Sequence, residues 1–191
     1  MKKKSKGFTL VELLAAIVIL GILMAVSIPL ITSLLDNSRN KIYISDAKKL
    51  IAQAEYKIKS NNSNIELPDE GDCIILSLKY LDSSIFDNAP NNGTYKRENS
   101  FVIVKNIGNN KYDYSTMLVE EFKDGGYKGI ELINSTTLNS TNASSHIKSF
   151  NESDLVTVKS NADTSSIVSY INNKLGDNYV SAIAYKYTEA N

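Results

Sequence analysis

From Leu13 to Ile31 the chain runs nineteen residues without a charge, interrupted only by Gly21, Ser27 and Pro29. Coiled as a helix, that stretch is about 28 Å long, close to the roughly 30 Å hydrocarbon thickness of a bilayer. Inside a globule it would need apolar partners on every side; in lipid it needs none. Lys2, Lys3, Lys4 and Lys6 precede it, and such a basic flank stays on the cytoplasmic side. The pattern predicts a single-pass segment with its amino end in the cytoplasm and the rest of the chain exported. A secretory signal peptide cut near Ala25-Val26-Ser27 fits the same basic start and apolar run, as does an uncut signal anchor. Neither gives a part to Gly7-Phe8-Thr9-Leu10-Val11-Glu12, which stands between the lysines and the run.

Glu12 is the informative residue of that string. A carboxylate at the head of an apolar helix costs up to a few kcal/mol in lipid unless it is paired, and such groups are functional candidates. Locally, Thr9 as N-cap and Glu12 three residues on form a capping-box pattern, and a helix amino end favours negative charge. That role is compatible with a second one.

The string Lys6-Gly7-Phe8-Thr9-Leu10-Val11-Glu12-Leu13-Leu14, followed by an apolar run with Pro29 inside it, resembles the amino end of the type IV prepilin family, pilins and pseudopilins alike. The resemblance covers about thirty residues and implies a good deal. A prepilin peptidase cuts between Gly7 and Phe8, removing residues 1–7 as a leader, and the new amino group of Phe8 is methylated. The apolar helix is kept. Glu12 then pairs with the Phe8 amine of a neighbouring subunit and sets register, a device more for alignment than for stability. Thr9, Gly21 and Pro29 belong to the same assembly region, where the helix curves and can partly unwind. The implied partners are membrane lipid before assembly, the peptidase, an inner-membrane assembly platform, and other pilins in a homo- or hetero-oligomeric helical filament. The precursor would lie in the cytoplasmic membrane and the product in a surface pilus.

Beyond Ile31 the helical pattern continues on one side only. Leu34, Leu35, Ile42, Tyr43, Ala47, Leu50, Ile51, Ala54 and Ile58 keep helical spacing, while Arg39, Lys41, Lys48, Lys49, Glu55 and Lys57 lie mainly on other faces. One helix is expected from Thr9 to Ser60, about 78 Å long, ended by Asn61-Asn62-Ser63-Asn64. Its 8–35 half is apolar all round and its 36–60 half amphipathic, so the first suits burial among identical helices and the second suits packing on its own domain. A heterologous contact that does not close generates an open fibre. Pro29 removes one helical hydrogen bond and crowds a carbonyl, and Gly21 weakens the helix further.

Residues 61–191 read as an exported α+β head, and the expected fold is a long helix laid on a small antiparallel sheet. Asp69, Glu70 and Asp72 precede Cys73-Ile74-Ile75-Leu76-Ser77-Leu78-Lys79-Tyr80-Leu81, read as a short helix with acids in its first turn. Those acids lack a calcium-loop spacing, which favours capping over a metal site. Strands are expected at Phe101 to Lys105, covered on both faces, and from Tyr112 to Leu118, with Gly108-Asn109-Asn110 as the turn. A third is expected at Tyr127 to Ile133, with Ile130 and Leu132 on one face. The polar tract from Asn134 to Ser153 reads as a surface loop holding His146, which is expected to be solvated. It also carries N-x-S/T triplets at Asn134, Asn139, Asn142 and Asn151, of a frequency that composition alone produces. A strand at Leu155 to Val158 follows, then a helix capped by Asp163 or Thr164, carrying Ile167, Val168, Ile171 and Leu175 and stopped at Gly176. The tail from Tyr179 to Tyr187 alternates as a closing strand.

Composition narrows the functional classes. With 21 Lys+Arg against 21 Asp+Glu the net charge is zero, which gives no field to hold a nucleic acid. A single cysteine, Cys73, closes no intrachain disulfide, and one Cys with one His makes no usual zinc set. The chain thereby departs from the many pilins of didermal bacteria whose carboxyl end is stapled by a disulfide. Cys73 reads as a small buried hydrophobe. No nucleophile elbow, P-loop or H-E-x-x-H motif occurs, which argues against an enzyme, and nothing calls for a cofactor or metal. The eleven tyrosines suit strands and subunit contacts more than a dedicated adhesive surface. The expected function is therefore a structural subunit, major or minor, of a type IV pilus for adhesion, motility or biofilm formation. A pseudopilin of a type II secretion or DNA-uptake machine shares the same leader, and a signal-anchored exported binding protein stands further off.

Overall fold

A computed structural model describes residues 7–60, 65–81, 83–86, 88–158, 165–176 and 182–184. One helix, α1 (Leu10–Lys59), occupies 50 residues and continues through Pro29. Around that proline, hydroxyls return to the main chain: Ser27 Oγ donates to Leu23 O at 2.7 Å, and Thr32 Oγ1 to Pro29 O at 3.0 Å. The chain divides into two compact units at Ser38/Arg39, so α1 contributes to both.

In the first unit every described residue is exposed, including all its large hydrophobics from Phe8 to Leu35. This is a helix held by its own hydrogen bonds, long and apolar enough to cross a membrane.

In the second unit α1 presents Tyr43, Ile44, Ala47, Leu50, Ile51 and Ala54 at three- and four-residue spacing, all buried against a sheet. The strands are β1 (Cys73–Ser77), β2 (Thr94–Tyr95), β3 (Phe101–Asn106), β4 (Tyr112–Glu121), β5 (Tyr127–Asn134), β6 (Ile147–Phe150) and β7 (Ala182–Ala184). Their spatial order is β6-β5-β4-β3-β1-β7, with β2 paired to the far end of β4. The first six pair antiparallel, and β7 joins β1 in parallel. The β3–β4 turn needs left-handed backbone at three successive residues, and Gly108, Asn109 and Asn110 supply it with φ of 82°, 53° and 58°.

The sheet is covered on both faces. Ile74, Leu76, Val102, Val104, Tyr114, Leu118 and Ile130 meet α1. Cys73, Ile75, Phe101, Ile103, Met117, Val119 and Leu132 meet Ile167 and Ile171 of α3 (Ser165–Leu175) together with Val158. Gly176 closes α3, its N–H bonding Asn172 O at 3.1 Å. The α+β architecture, the long helix, the three central strands and α3 are thus as the sequence predicts. The proposed caps Asp163 and Thr164, the helix-ending Asn61 to Asn64, and the tail other than 182–184 lie outside the described residues.

Four expectations are corrected. Cys73 to Ser77 is the strand β1, not a helix, and the acids before it form a turn in which Asp72 N bonds Asp69 O at 3.0 Å. Flanked by β3 and β7 and covered on both faces, β1 buries every side chain, and a continuous apolar run then looks alike in strand and helix. Ile130 and Leu132 do not share a face. Pairing shifts between Thr116 and Leu118, so β5 places two residues, Glu131 and Leu132, opposite Met117. This bulge turns Ile130 and Ile133 toward α1 and Leu132 toward α3. The tract 134–153 is not a mere loop: it buries Leu138 and Ala143, forms the short helix α2 (Ala143–His146) and supplies the edge strand β6, and His146 is partly buried. Leu155 to Val158 forms no strand. It is tied down instead by Asn99, whose Nδ2 donates to Val156 O at 3.0 Å, and by Val158 N to Glu98 O at 2.8 Å.

Candidate functional site

The site begins where the helix does. Thr9 is the N-cap of α1, its carbonyl accepting the first helical bond from Leu13 N at 3.1 Å. Its hydroxyl accepts from Glu12 N at 3.3 Å, while Thr9 N and Thr9 Oγ1 donate to Glu12 Oε2 at 2.8 and 2.9 Å. The capping box read from the sequence is therefore complete. Both bonds to the Glu12 carboxylate fall on Oε2, and Oε1 has no partner among the described residues. A carboxylate with one occupied and one open oxygen can serve its own helix and still accept an outside cation.

Gly7 and Phe8 precede the helix. Nothing lies within 4 Å of where a Gly7 side chain would start, and Phe8 is 90% exposed, so the bond between them is open to approach. Gly21 is equally open, and Pro29 sits in the uninterrupted helix. Gly7 to Glu12 thus form one constellation at the helix mouth, with Gly21 and Pro29 further along the same rod. Cys73 does not join it: the thiol is buried beneath α3, and burial pushes it up to about 12, far from a reactive thiolate. Among the described residues no group of His, Cys, Asp and Glu could hold a metal.

A second polar cluster, which the sequence reading missed, fixes α1 to the head within the second unit. Glu120 on β4 is fully buried. Its Oε2 accepts from Tyr43 OH and from Asn91 Nδ2 at 3.0 Å, and its Oε1 from Asn91 N at 3.0 Å and Gly93 N at 2.8 Å. Gly93 is obligatory there, because a Cβ would stand 2.2 Å from Glu121 O. Beside it Asp46, 3% exposed, accepts from Tyr95 OH at 2.8 Å and Lys49 Nζ at 2.9 Å. Burial first, and the adjacent carboxylates second, raise both tyrosines well above their ordinary pKa, so they remain donors at any physiological pH. The only sequence signal was Asp46, an acid inside the apolar stripe of α1.

The prokaryotic N-terminal methylation motif matches residues 2–28. No curated protein and no solved structure matches the chain. The matched span takes in the lysines from Lys2 to Lys6, the Gly7–Phe8 bond, the Thr9–Glu12 box and most of the apolar rod. These residues carry the type IV pilin/prepilin signature, and the long helix with the antiparallel sheet behind it gives the α+β, type IV pilin-like fold.

Proposed function

We propose that this chain is a structural subunit, major or minor, of a type IV pilus. A prepilin peptidase cuts after Gly7, Phe8 becomes the methylated amino terminus, and subunits pass from the cytoplasmic membrane into a surface filament through the amino half of α1. The observation that carries this reading is the juxtaposition at the helix mouth: an accessible Gly7–Phe8 bond four residues before a lone carboxylate that keeps one oxygen open, at the head of a fully exposed apolar rod.

The physical logic follows from the solvent. Lipid tails are as apolar as leucine, so moving the rod from lipid into a bundle of rods gains little from hydrophobicity and depends on close packing and polar pairing. Gly21 and Ala25, four apart, put two small residues on one helix face, where a neighbouring backbone can come near. Cleavage supplies the polar pair. The Phe8 ammonium of one subunit and the open Glu12 oxygen of another attract strongly in a low-dielectric setting, and only one axial offset brings them together. Thr9 holds Glu12 until that exchange.

The test is the intact mass and amino-terminal sequence of the protein from sheared fibres. A chain starting at methylated Phe8 is expected; one starting at Met1 or Ile28 overturns the reading. Gene deletion scored for fibres, protein secretion and DNA uptake separates a pilus subunit from a pseudopilin.

A further inference from the structure

Lys96-Arg97-Glu98-Asn99 forms the turn between β2 and β3, closed by Asn99 N to Lys96 O at 3.2 Å. The turn is firmly set, since Asn99 is buried and bonded to Val156 and Thr157, and Arg97 O accepts from Lys79 N at 3.1 Å. A cleft of about 390 Å³ opens between this turn, Lys79 and Glu121, and a second of about 240 Å³ adjoins it, with Thr94, Tyr95 and Arg97 lining both. The two lysines of the cleft are committed, Lys79 to Glu98 at 3.1 Å and Lys96 to Glu121 at 3.5 Å. Arg97 is exposed, and its guanidinium has no partner among the described residues. A planar fork left open on a rigid turn beside a cleft is suited to a carboxylate.

Carboxylates without partners stand at the other end of the same strands. Glu66, Asp69 and Glu70 are exposed and make no ion pair among the described residues. Asp69 and Glu70 ride a tight turn, with Gly71 at φ 92°, anchored to the β3 end by Gly71 N to Asn106 O at 2.9 Å. Arg97 precedes β3 and the acids precede β1, and these strands run antiparallel with Cys73 opposite Lys105 and Ser77 opposite Phe101. The five residues of β1 therefore separate the two charged ends by about 17 Å. They cannot meet within one chain.

We propose that the Arg97 cleft receives the Asp69-Glu70 turn of a second copy, making a head-to-head-domain contact between neighbouring subunits. Opposite unpaired charges at opposite ends of one sheet are the arrangement a heterologous contact needs, and repetition of a heterologous contact extends a fibre without limit. The contact sits on heads, apart from the helix bundle, and rests on the filament reading above.

The test uses the full chain in a host that assembles it. Arg97→Cys and Glu70→Cys are introduced together; the native Cys73 is buried and does not compete. Mild oxidation of sheared fibres is expected to give a ladder of disulfide-linked multimers, which neither single variant gives. Arg97→Glu is expected to lower fibre yield about tenfold through like-charge contact, and Arg97→Glu with Glu70→Arg to restore it. Fibres that carry both cysteines yet give no ladder, or a ladder from Arg97→Cys alone, overturn this contact while leaving the filament reading intact. Wild-type chain that is processed but never forms fibres overturns both. Unchanged fibres of Arg97→Glu, with soluble polyglutamate held by wild-type but not by variant monomer, assign the cleft to an outside acid and also overturn the contact.

Discussion

The two halves of α1 share one backbone conformation and have opposite surroundings. Residues 10–38 are exposed at every position, whereas Tyr43 to Ala54 bury six apolar side chains and Asp46 against the sheet. Helix formation by itself distinguishes nothing here; what differs is the solvent each half was built for. Among the described residues the first half is exposed around its whole circumference. The second half spends one face on its own head and leaves lysines on the rest. A substitution should therefore act on folding in one half and on assembly in the other.

The sharpest way to break that comparison is a matched pair of truncations. Leu50→Ala empties part of the core beneath α1 and is expected to destabilise the head by about 2–5 kcal/mol. Leu20→Ala, a similar deletion on the rod, is expected to leave head unfolding unchanged within about 0.5 kcal/mol. Denaturant unfolding of the full chain in detergent, followed by tyrosine fluorescence from the head, measures both. Equal effects would mean the two halves are not independent in the way their burial implies.

Next in size is the clasp. Glu120→Ala removes the acceptor of Tyr43 OH and of the Asn91 and Gly93 amides, leaving several buried donors unsatisfied, and is expected to cost about 3 kcal/mol. Tyr43→Phe removes one bond of the set and should cost about 1 kcal/mol. Faster hydrogen exchange at the Asn91 and Gly93 amides would report the same loss locally. On the other half, Glu12→Ala is expected to abolish fibres while changing head stability by less than about 0.5 kcal/mol; fibres at normal yield would remove Glu12 from the register.

These contrasts also explain what could be read from residues alone. The rod, its cap and its lone acid were legible because their signals are local: a run of nineteen uncharged residues, and Thr9 three places from Glu12. The hairpin was legible because Gly108, Asn109 and Asn110 tolerate left-handed backbone. Glu120 was not, since its partners lie 77 positions away at Tyr43 and 29 at Asn91, and nothing in its own neighbourhood shows that an acid at a strand end points inward. β1 was misread for a related reason. Periodicity separates strand from helix only where one face meets water, and Cys73 to Ser77 meets none.

The bulge in β5 was illegible because it exists only in the pairing with β4, and it carries the smallest of the expected effects. Beside the bulge, the Glu131 carboxylate lies between Lys148 of β6 and Lys174 of α3, both of which bond it. Burial alone would raise this carboxyl, but the bonds and charges of the two lysines outweigh it and hold it below the usual carboxylate range. A group whose pKa is lower folded than unfolded stabilises the fold above its unfolded value near pH 4.5 and loses that contribution as pH falls through the folded value. The lysines are partly solvated, so the contribution is at most about 1 kcal/mol. Wild-type chain and Glu131→Gln are expected to differ in unfolding midpoint at pH 7 and to converge at pH 3, because acid erases in the first what substitution has already removed in the second. An equal gap at both pH values would mean that Glu131 acts through packing of its stem beside Leu132, and that the ion pairs between β5, β6 and α3 do not set how α3 is held.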